Sequence, residues 1–185
     1  SDVYKRQSYE PVKKLISLGH TKIAIITGGI DHYTSQQRLN GYEKALRECH
    51  LPIYKHYIQC GNYSTEGGYE AMMKLAKLPD PPTAVFISNY DMEIGAYIAI
   101  NNLNLKIPED ISLIGFDNLP LVNIVNPPLS FSEQPTDEMG LTAAKLLYRR
   151  MLGDQSDYPK TLIHAPLFHY TDSICSPLDK ERVRL

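Results

Sequence analysis

The sequence predicts an α/β fold on a mostly parallel sheet, and two observations carry that expectation. First, short apolar runs (Ile23 to Ile26, Ala84 to Ile87, Ile111 to Phe116) alternate with longer segments whose apolar residues recur every three or four positions. Runs without polar alternation are strands buried on both faces. Strands that alternate with helices need right-handed crossovers, which makes the sheet parallel. Second, each clear run hands over to a polar residue. Asn89 follows Ala84 to Ser88, and Asp117 follows Ile111 to Phe116. Open parallel sheets bind ligands outside the carboxyl ends of their strands, so this placement predicts a small-molecule pocket.

The elements follow in order. Residues 1–7 carry no usable pattern and are read as a foreign or disordered extension. Val12, Leu15 and Ile16 predict a short helix from Tyr9 to Leu18. Gly19 can end it in a left-handed cap, and His20 sits where a helix C-terminus favours positive charge. Lys22 to Thr27 is a buried strand, and Gly28-Gly29 turns the chain. The next helix runs from Thr34 or Ser35 to Glu48, with Leu39, Tyr42, Leu46 and Cys49 on one face. Ile58 to Cys60 is a weak strand. Ser64 or Thr65 caps a helix whose apolar face is Tyr69, Met72, Met73 and Ala76, and the prolines between Leu78 and Pro82 end it. Met92, Ala96, Ala99, Ile100 and Leu103 form the helix after Ala84 to Ser88. Asn118 to Pro128 is irregular, and Leu129 to Ser132 is a short strand. Met139, Ala143, Leu146, Leu147 and Met151 line a helix from Thr136 to Leu152, which Gly153 ends. Thr161 to Tyr170 reads as one or two short strands, and residues 176–185 as a loose charged tail.

Composition narrows the class. The chain has 185 residues, 43% of them apolar and 22% charged, which is an ordinary globular balance. No apolar run approaches the roughly 18 residues of a membrane span, and no signal peptide opens the chain, so residence in the cytoplasm is expected. A net charge of -2 exerts no general pull on nucleic acid or anionic membranes. The three cysteines are widely spaced, which argues for reduced thiols rather than a disulfide framework or zinc site.

Catalytic motifs are missing. There is no GxSxG, HExxH, Walker or GxGxxG pattern, no metal-ligand histidine pair, and no cofactor or enzyme activity is expected. The candidate binding residues each have two readings. Gly28-Gly29 could receive an anion at a helix start or simply form a tight turn. Arg38, early in its helix, suits vicinal hydroxyls or a carboxylate, or else makes a surface ion pair. Asp117 could accept two sugar hydroxyls or cap the following turn. Asn89 could serve a polyol or cap the next helix. Tyr63 could pack on the C–H face of a sugar or be a half-buried loop tyrosine. These four residues share one attribute: each falls just beyond a strand's carboxyl end.

The order and spacing of several pieces resemble one family. They are Leu18-Gly19-His20-Thr21-Lys22-Ile23-Ala24, Arg38-Leu39-Asn40-Gly41-Tyr42, Gly67-Gly68-Tyr69-Glu70-Ala71-Met72, Pro82-Thr83-Ala84-Val85-Phe86, Asn89 through Gly95, and Pro108 through Asp117. Pro128-Leu129-Ser130, Gln134-Pro135 and Glu138-Met139-Gly140 continue the pattern. Over residues 8–174 the chain resembles the lactose-repressor/galactose-repressor regulators. The resemblance implies a type I periplasmic-binding-protein-like fold of two lobes, a sugar or similar effector in the cleft, and a homodimer or tetramer. It also implies operator DNA bound through an amino-terminal helix-turn-helix. By position, Arg38 resembles the arginine that clamps ligand hydroxyls, and Tyr63 the aromatic residue that packs on the ligand. Asn89 and Asp117 match the polar strand-end residues, and Thr34 and Phe131 are further candidates in flanking loops.

The chain also departs from the family. It shows no headpiece, and the amino-terminal lobe is expected to be incomplete. Residues 8–21 and 136–165 would be its remnant, and residues 22–135 and 166–175 the carboxyl-terminal lobe. Such a fragment is expected to expose a sheet edge and apolar surface, and to bind effector poorly by itself. The family has an acidic residue at the place of Tyr90 and often alanine at that of Glu93, so Glu93 is expected to face solvent or a partner subunit. The family's arginine near the carboxyl end falls at Thr171. Two rival readings are a solute-binding protein of a sugar transporter and a sugar-processing enzyme on the same sheet.

Overall fold

Five strands of a six-stranded sheet run parallel, in the order β2-β1-β3-β4-β5-β6. They are β1 (Ile23–Thr27), β2 (Ile58–Cys60), β3 (Ala84–Ile87), β4 (Ser112–Phe116) and β5 (Ser130–Glu133), and β6 (Leu167–His169) pairs antiparallel with β5. Helices α1 (Asp2–Ser17), α2 (Tyr33–Glu48), α3 (Thr65–Ala76), α4 (Tyr90–Asn102) and α5 (Thr136–Met151) complete the elements named here. The computed structural model describes residues 2–117, 124–154, 156 and 159–178. The expected irregular segment 118–128 falls partly, and the tail 176–185 mostly, outside them.

The continuous apolar runs have the expected cause. β1, β3 and β4 are buried along their whole lengths because both faces of the sheet are covered. Ile23, Ile25, Ala84, Phe86, Ile114 and Phe116 pack with Val12 and Leu15 of α1 and Tyr42, Ala45 and Leu46 of α2. The alternate residues Ala24, Ile26, Val85, Ile87 and Leu113 pack with Ala71, Met72 and Leu75 of α3 and Met92, Ala96, Ala99 and Ile100 of α4. The strand order reverses direction between β1 and β3, the switch point where open α/β sheets form ligand crevices.

Several expectations are corrected. The first helix begins at Asp2, so residues 2–7 are helical rather than disordered. Val12 and Leu15 have no exposed surface and share a core with β1, β3 and β4. The helix therefore packs on this sheet rather than standing apart with residues 136–165. Gly19 does take a left-handed φ of +97° at the end of α1. His20 does not sit at a solvent-facing helix end. It is fully buried, with Nδ1 2.8 Å from Thr83 Oγ1 and Nε2 2.8 Å from the Cys175 carbonyl. It staples the segment after β6 to the amino ends of the strands. Thr171 helps in the same place, donating its N–H to Ser130 Oγ at 2.9 Å.

Helix α5 forms as predicted, but its apolar face stays open. It has no buried residue, and Met139, Leu141, Leu147, Tyr148 and Met151 are exposed. Among the described residues no element covers that face.

The packing of α1 makes a measurable prediction. Leu15→Ala removes a fully buried side chain and should lower stability by about 2–5 kcal/mol, read from urea unfolding. A loss below about 0.5 kcal/mol, the range of ordinary surface changes, would show that α1 is not part of this core.

Candidate effector site

The row of residues at the carboxyl ends of the strands builds the site. Thr27, Ser88, Phe116 and Ser132 continue the alternation that faces α1 and α2, and Phe116 and Ser132 are register partners. Thr27, Ser88 and Ser132 are buried, and their hydroxyls have no hydrogen-bond partner among the described residues. Over this row lies Arg38, from the second turn of α2 and only 7% exposed.

Arg38 is not in a surface ion pair. Its guanidinium lies 4.0 Å from the centroid of the Phe116 ring. One Nη donates to the Ser88 carbonyl at 2.8 Å and Nε donates to Gln7 Oε1 at 3.1 Å. Burial pulls its pKa down, while Tyr63 and Asp117 favour its charge. A guanidinium has five N–H donors, so these two bonds leave further donors for a ligand.

Asp117 follows β4 with a positive φ of +69°. Its N–H donates to the Ser132 carbonyl at 2.8 Å, and its carboxylate accepts from Gln134 Nε2 at 3.2 and 3.4 Å. Burial raises its pKa, while Gln134 and Arg38 oppose the rise. Asn89 caps α4, its Oδ1 accepting from the Met92 N–H at 3.3 Å. The capping role therefore uses one end of this amide, and the NH2 remains a donor.

Tyr63 stands in the β2–α3 loop with a φ of +56°. Its hydroxyl bonds Thr34 Oγ1 at 3.2 Å and also Ser35 Oγ, which fastens the loop to the start of α2. The ring of His32 meets it edge-on at 5.3 Å.

The structure thus brings Arg38, Asn89 and Asp117 to neighbouring strand ends, with Tyr63 and Thr34 joined beside them. It does not bring Phe131. That ring is buried in the core on the α3–α4 side and stacks on His169 at 4.5 Å. Gln134 was missed as a site residue, although it too lies just past a strand, β5, and the same strand-end rule would have found it. A groove of about 270 Å³ borders the cluster, lined by Tyr4, Gln7, Gln134, Met139 and His164 among others. A second cavity, of about 500 Å³, lies at the opposite end of the sheet, before β4 and β5, lined by Leu105, Lys106, Pro108 and Asn126 among others.

Glu93 departs furthest from expectation. It faces neither solvent nor a partner, but is fully buried under β4. Its Oε2 accepts from the Phe116 N–H at 3.2 Å, and Oε1 has no partner among the described residues.

Comparison with known proteins agrees with this architecture. The model of the periplasmic binding protein-like domain matches residues 12–169. The probable HTH-type transcriptional repressor ExuR of Bacillus subtilis is 44% identical over 143 residues, covering 77% of this chain and 43% of that protein. The ribose operon repressor of Haemophilus influenzae is 37% identical over 168 residues, covering 91% and 50%. A sugar-binding LacI-family regulator from Escherichia coli, solved with phosphate, superposes with a TM-score of 0.84 at 31% identity, covering 95% of this chain and 62% of that one. A LacI-family regulator from Enterococcus faecium, solved with bound ribose, superposes at 0.85 with 28% identity, covering 94% and 64%. The chain spans about half the length or less of these curated relatives. These relatives are transcription regulators, not enzymes. With the doubly wound sheet and its strand-end cluster, the matches show that the chain belongs to the periplasmic binding protein-like domain family, as the effector-binding core of the lactose-repressor (LacI) regulators.

Proposed function

We propose that this chain is the ligand-sensing core of a DNA-binding repressor that responds to a sugar or sugar-like effector. The observation that carries the reading is the buried Arg38 guanidinium, held at the switch point with spare donors and with Asp117 beside it. A planar donor fork opposite a carboxylate acceptor suits vicinal hydroxyls, which need both. The ribose bound in one structural relative supports the same ligand class.

In this reading Arg38 donates to ligand hydroxyls and Asp117 accepts from them. The free amide of Asn89 adds a donor, the Tyr63 ring offers an apolar face, and Thr34 supports that ring. The sheet, with α1, forms one lobe. Residues 136–165 belong with a second, whose contact would cover the apolar face of α5. Ligand bridging the lobes favours one lobe orientation in a dimer or tetramer, and so sets operator affinity through a helix-turn-helix headpiece. The coupling is no larger than the ligand's differential affinity for the two orientations. A cytoplasmic location follows from that role. A transporter's solute-binding protein would share the cleft, but the similar curated proteins are repressors.

The upstream reading frame of the gene tests the class. A helix-turn-helix there is expected, and a signal peptide without one would contradict the proposal. In the protein expressed from that whole frame, D-ribose and a panel of neutral pentoses and hexoses are titrated by calorimetry. At least one should bind. Arg38→Ala and Asp117→Ala should each weaken it tenfold or more, since losing a hydrogen bond to a charged group costs about 1.5–3 kcal/mol. Unchanged affinity in both variants would remove these residues from the site.

A further inference from the structure

The chain buries one carboxyl group that the effector reading does not use. Glu93 is in the first turn of α4, and α4 packs on the side of the sheet away from Arg38. Its carboxyl reaches the far side of β4, directly beneath Gly115 and Phe116. A side chain at position 115 would collide with it, since a Cβ built there falls 1.9 Å from Oε1 and 2.2 Å from Oε2. The glycine is the seat that admits the acid. Oε2 then takes the Phe116 N–H at 3.2 Å. Residue 117, with its left-handed turn, comes next.

We propose that Glu93 is a positioning residue for the Phe116–Asp117 corner, and that through this corner it makes the effector site sensitive to pH. The inference rests on Asp117 being an effector-binding group. Its physical basis is how little compensates a charge there: a single backbone N–H, that of Phe116. Oε1 has no partner among the described residues, and no cation from α3, α4 or β4 acts on the carboxyl. The charged group that does act on it is the Asp117 carboxylate, which repels a second negative charge. Burial is the largest effect and pushes Glu93 up to about 8 from an ordinary 4.5; the Phe116 N–H opposes it, and the repulsion from Asp117 adds the smallest share.

At neutral pH the group is therefore a neutral acid. Oε2 accepts from Phe116 and Oε1 is left to carry the proton. Ionisation places a bare charge under β4 beside Asp117. It can be hydrated only if α4 or the corner moves, and either movement shifts the acceptor that the effector needs. The sign of the linkage follows. Between the unfolded value near 4.5 and the folded value near 8, the native state holds one more proton than the unfolded chain. Stability from this group is thus complete below that window, declines as pH rises through it, and is lost above about 8.

The test is a pH titration of the ¹⁵N-labelled chain by NMR from pH 6 to 9.5, with no effector present. The Phe116 and Asp117 amides should move together with a midpoint near 8. In Glu93→Gln, which keeps the shape and the acceptor, that transition should vanish. Glu93→Ala should displace both resonances at every pH. Identical titrations in wild type and Glu93→Gln would overturn the proposal. So would Glu93→Ala resonances that coincide with those of the wild type. D-ribose affinity at pH 6.5 and 9 is the second readout. The wild type should weaken several-fold at the higher pH, while Glu93→Gln should not. If D-ribose binds neither form, the reading of a ribose-like effector fails, but the amide titration still decides the role of Glu93.

Discussion

The burial of one cation organises this molecule. A guanidinium removed from water must keep its hydrogen bonds and some opposing charge, or the fold bears a penalty of several kcal/mol. Arg38 meets that demand with the Ser88 carbonyl, the Phe116 ring and the field of Asp117. Each partner lies at or just past a strand end, so satisfying Arg38 also fixes where α2 meets β3 and β4. The same bonds do not exhaust its donors. A residue that the fold must anchor is therefore also one that can present N–H groups to a ligand.

The sheet makes this possible through register. Parallel pairing aligns the carboxyl ends of β1, β3, β4 and β5, and the two-residue period puts Thr27, Ser88, Phe116 and Ser132 on one face. The opposite face supplies Gly115, and with it the seat of Glu93. Two buried ionisable groups thus bracket the end of β4, a cation above and an acid below. The cation is well bonded, whereas the acid has a single backbone donor. This asymmetry sets the well-anchored cation apart from the sparsely bonded acid.

Most of the fold was legible in the sequence because it rests on burial patterns. β1, β3 and β4 announced themselves as unbroken apolar runs, and α2 to α5 by their periodicity. The site was partly legible, because Asn89 and Asp117 stand where strand-end chemistry belongs. Long-range contacts were not. The environment of His20 depends on Cys175, 155 residues away, so a local helix-end rule misread it. Glu93 was expected to face solvent or a partner subunit because the family that the chain resembles often has alanine there. Its burial depends on Gly115, in a strand 22 residues further on. Phe131 was expected in a flanking loop, but it is the second residue of β5, and alternation sends its ring into the core. The apolar face of α5 was read correctly as apolar, and among the described residues no element covers it.

The central claim is that the strand-end cluster around Arg38 is the effector site. The most direct test is a crystal structure of the protein expressed from the complete reading frame, grown with a sugar that binds it in solution. The account predicts the sugar at the carboxyl ends of β3, β4 and β5, with hydroxyls in hydrogen-bond range of both Arg38 and Asp117. A sugar found instead in the cavity before β4, against Lys106 and Asn126, would contradict it.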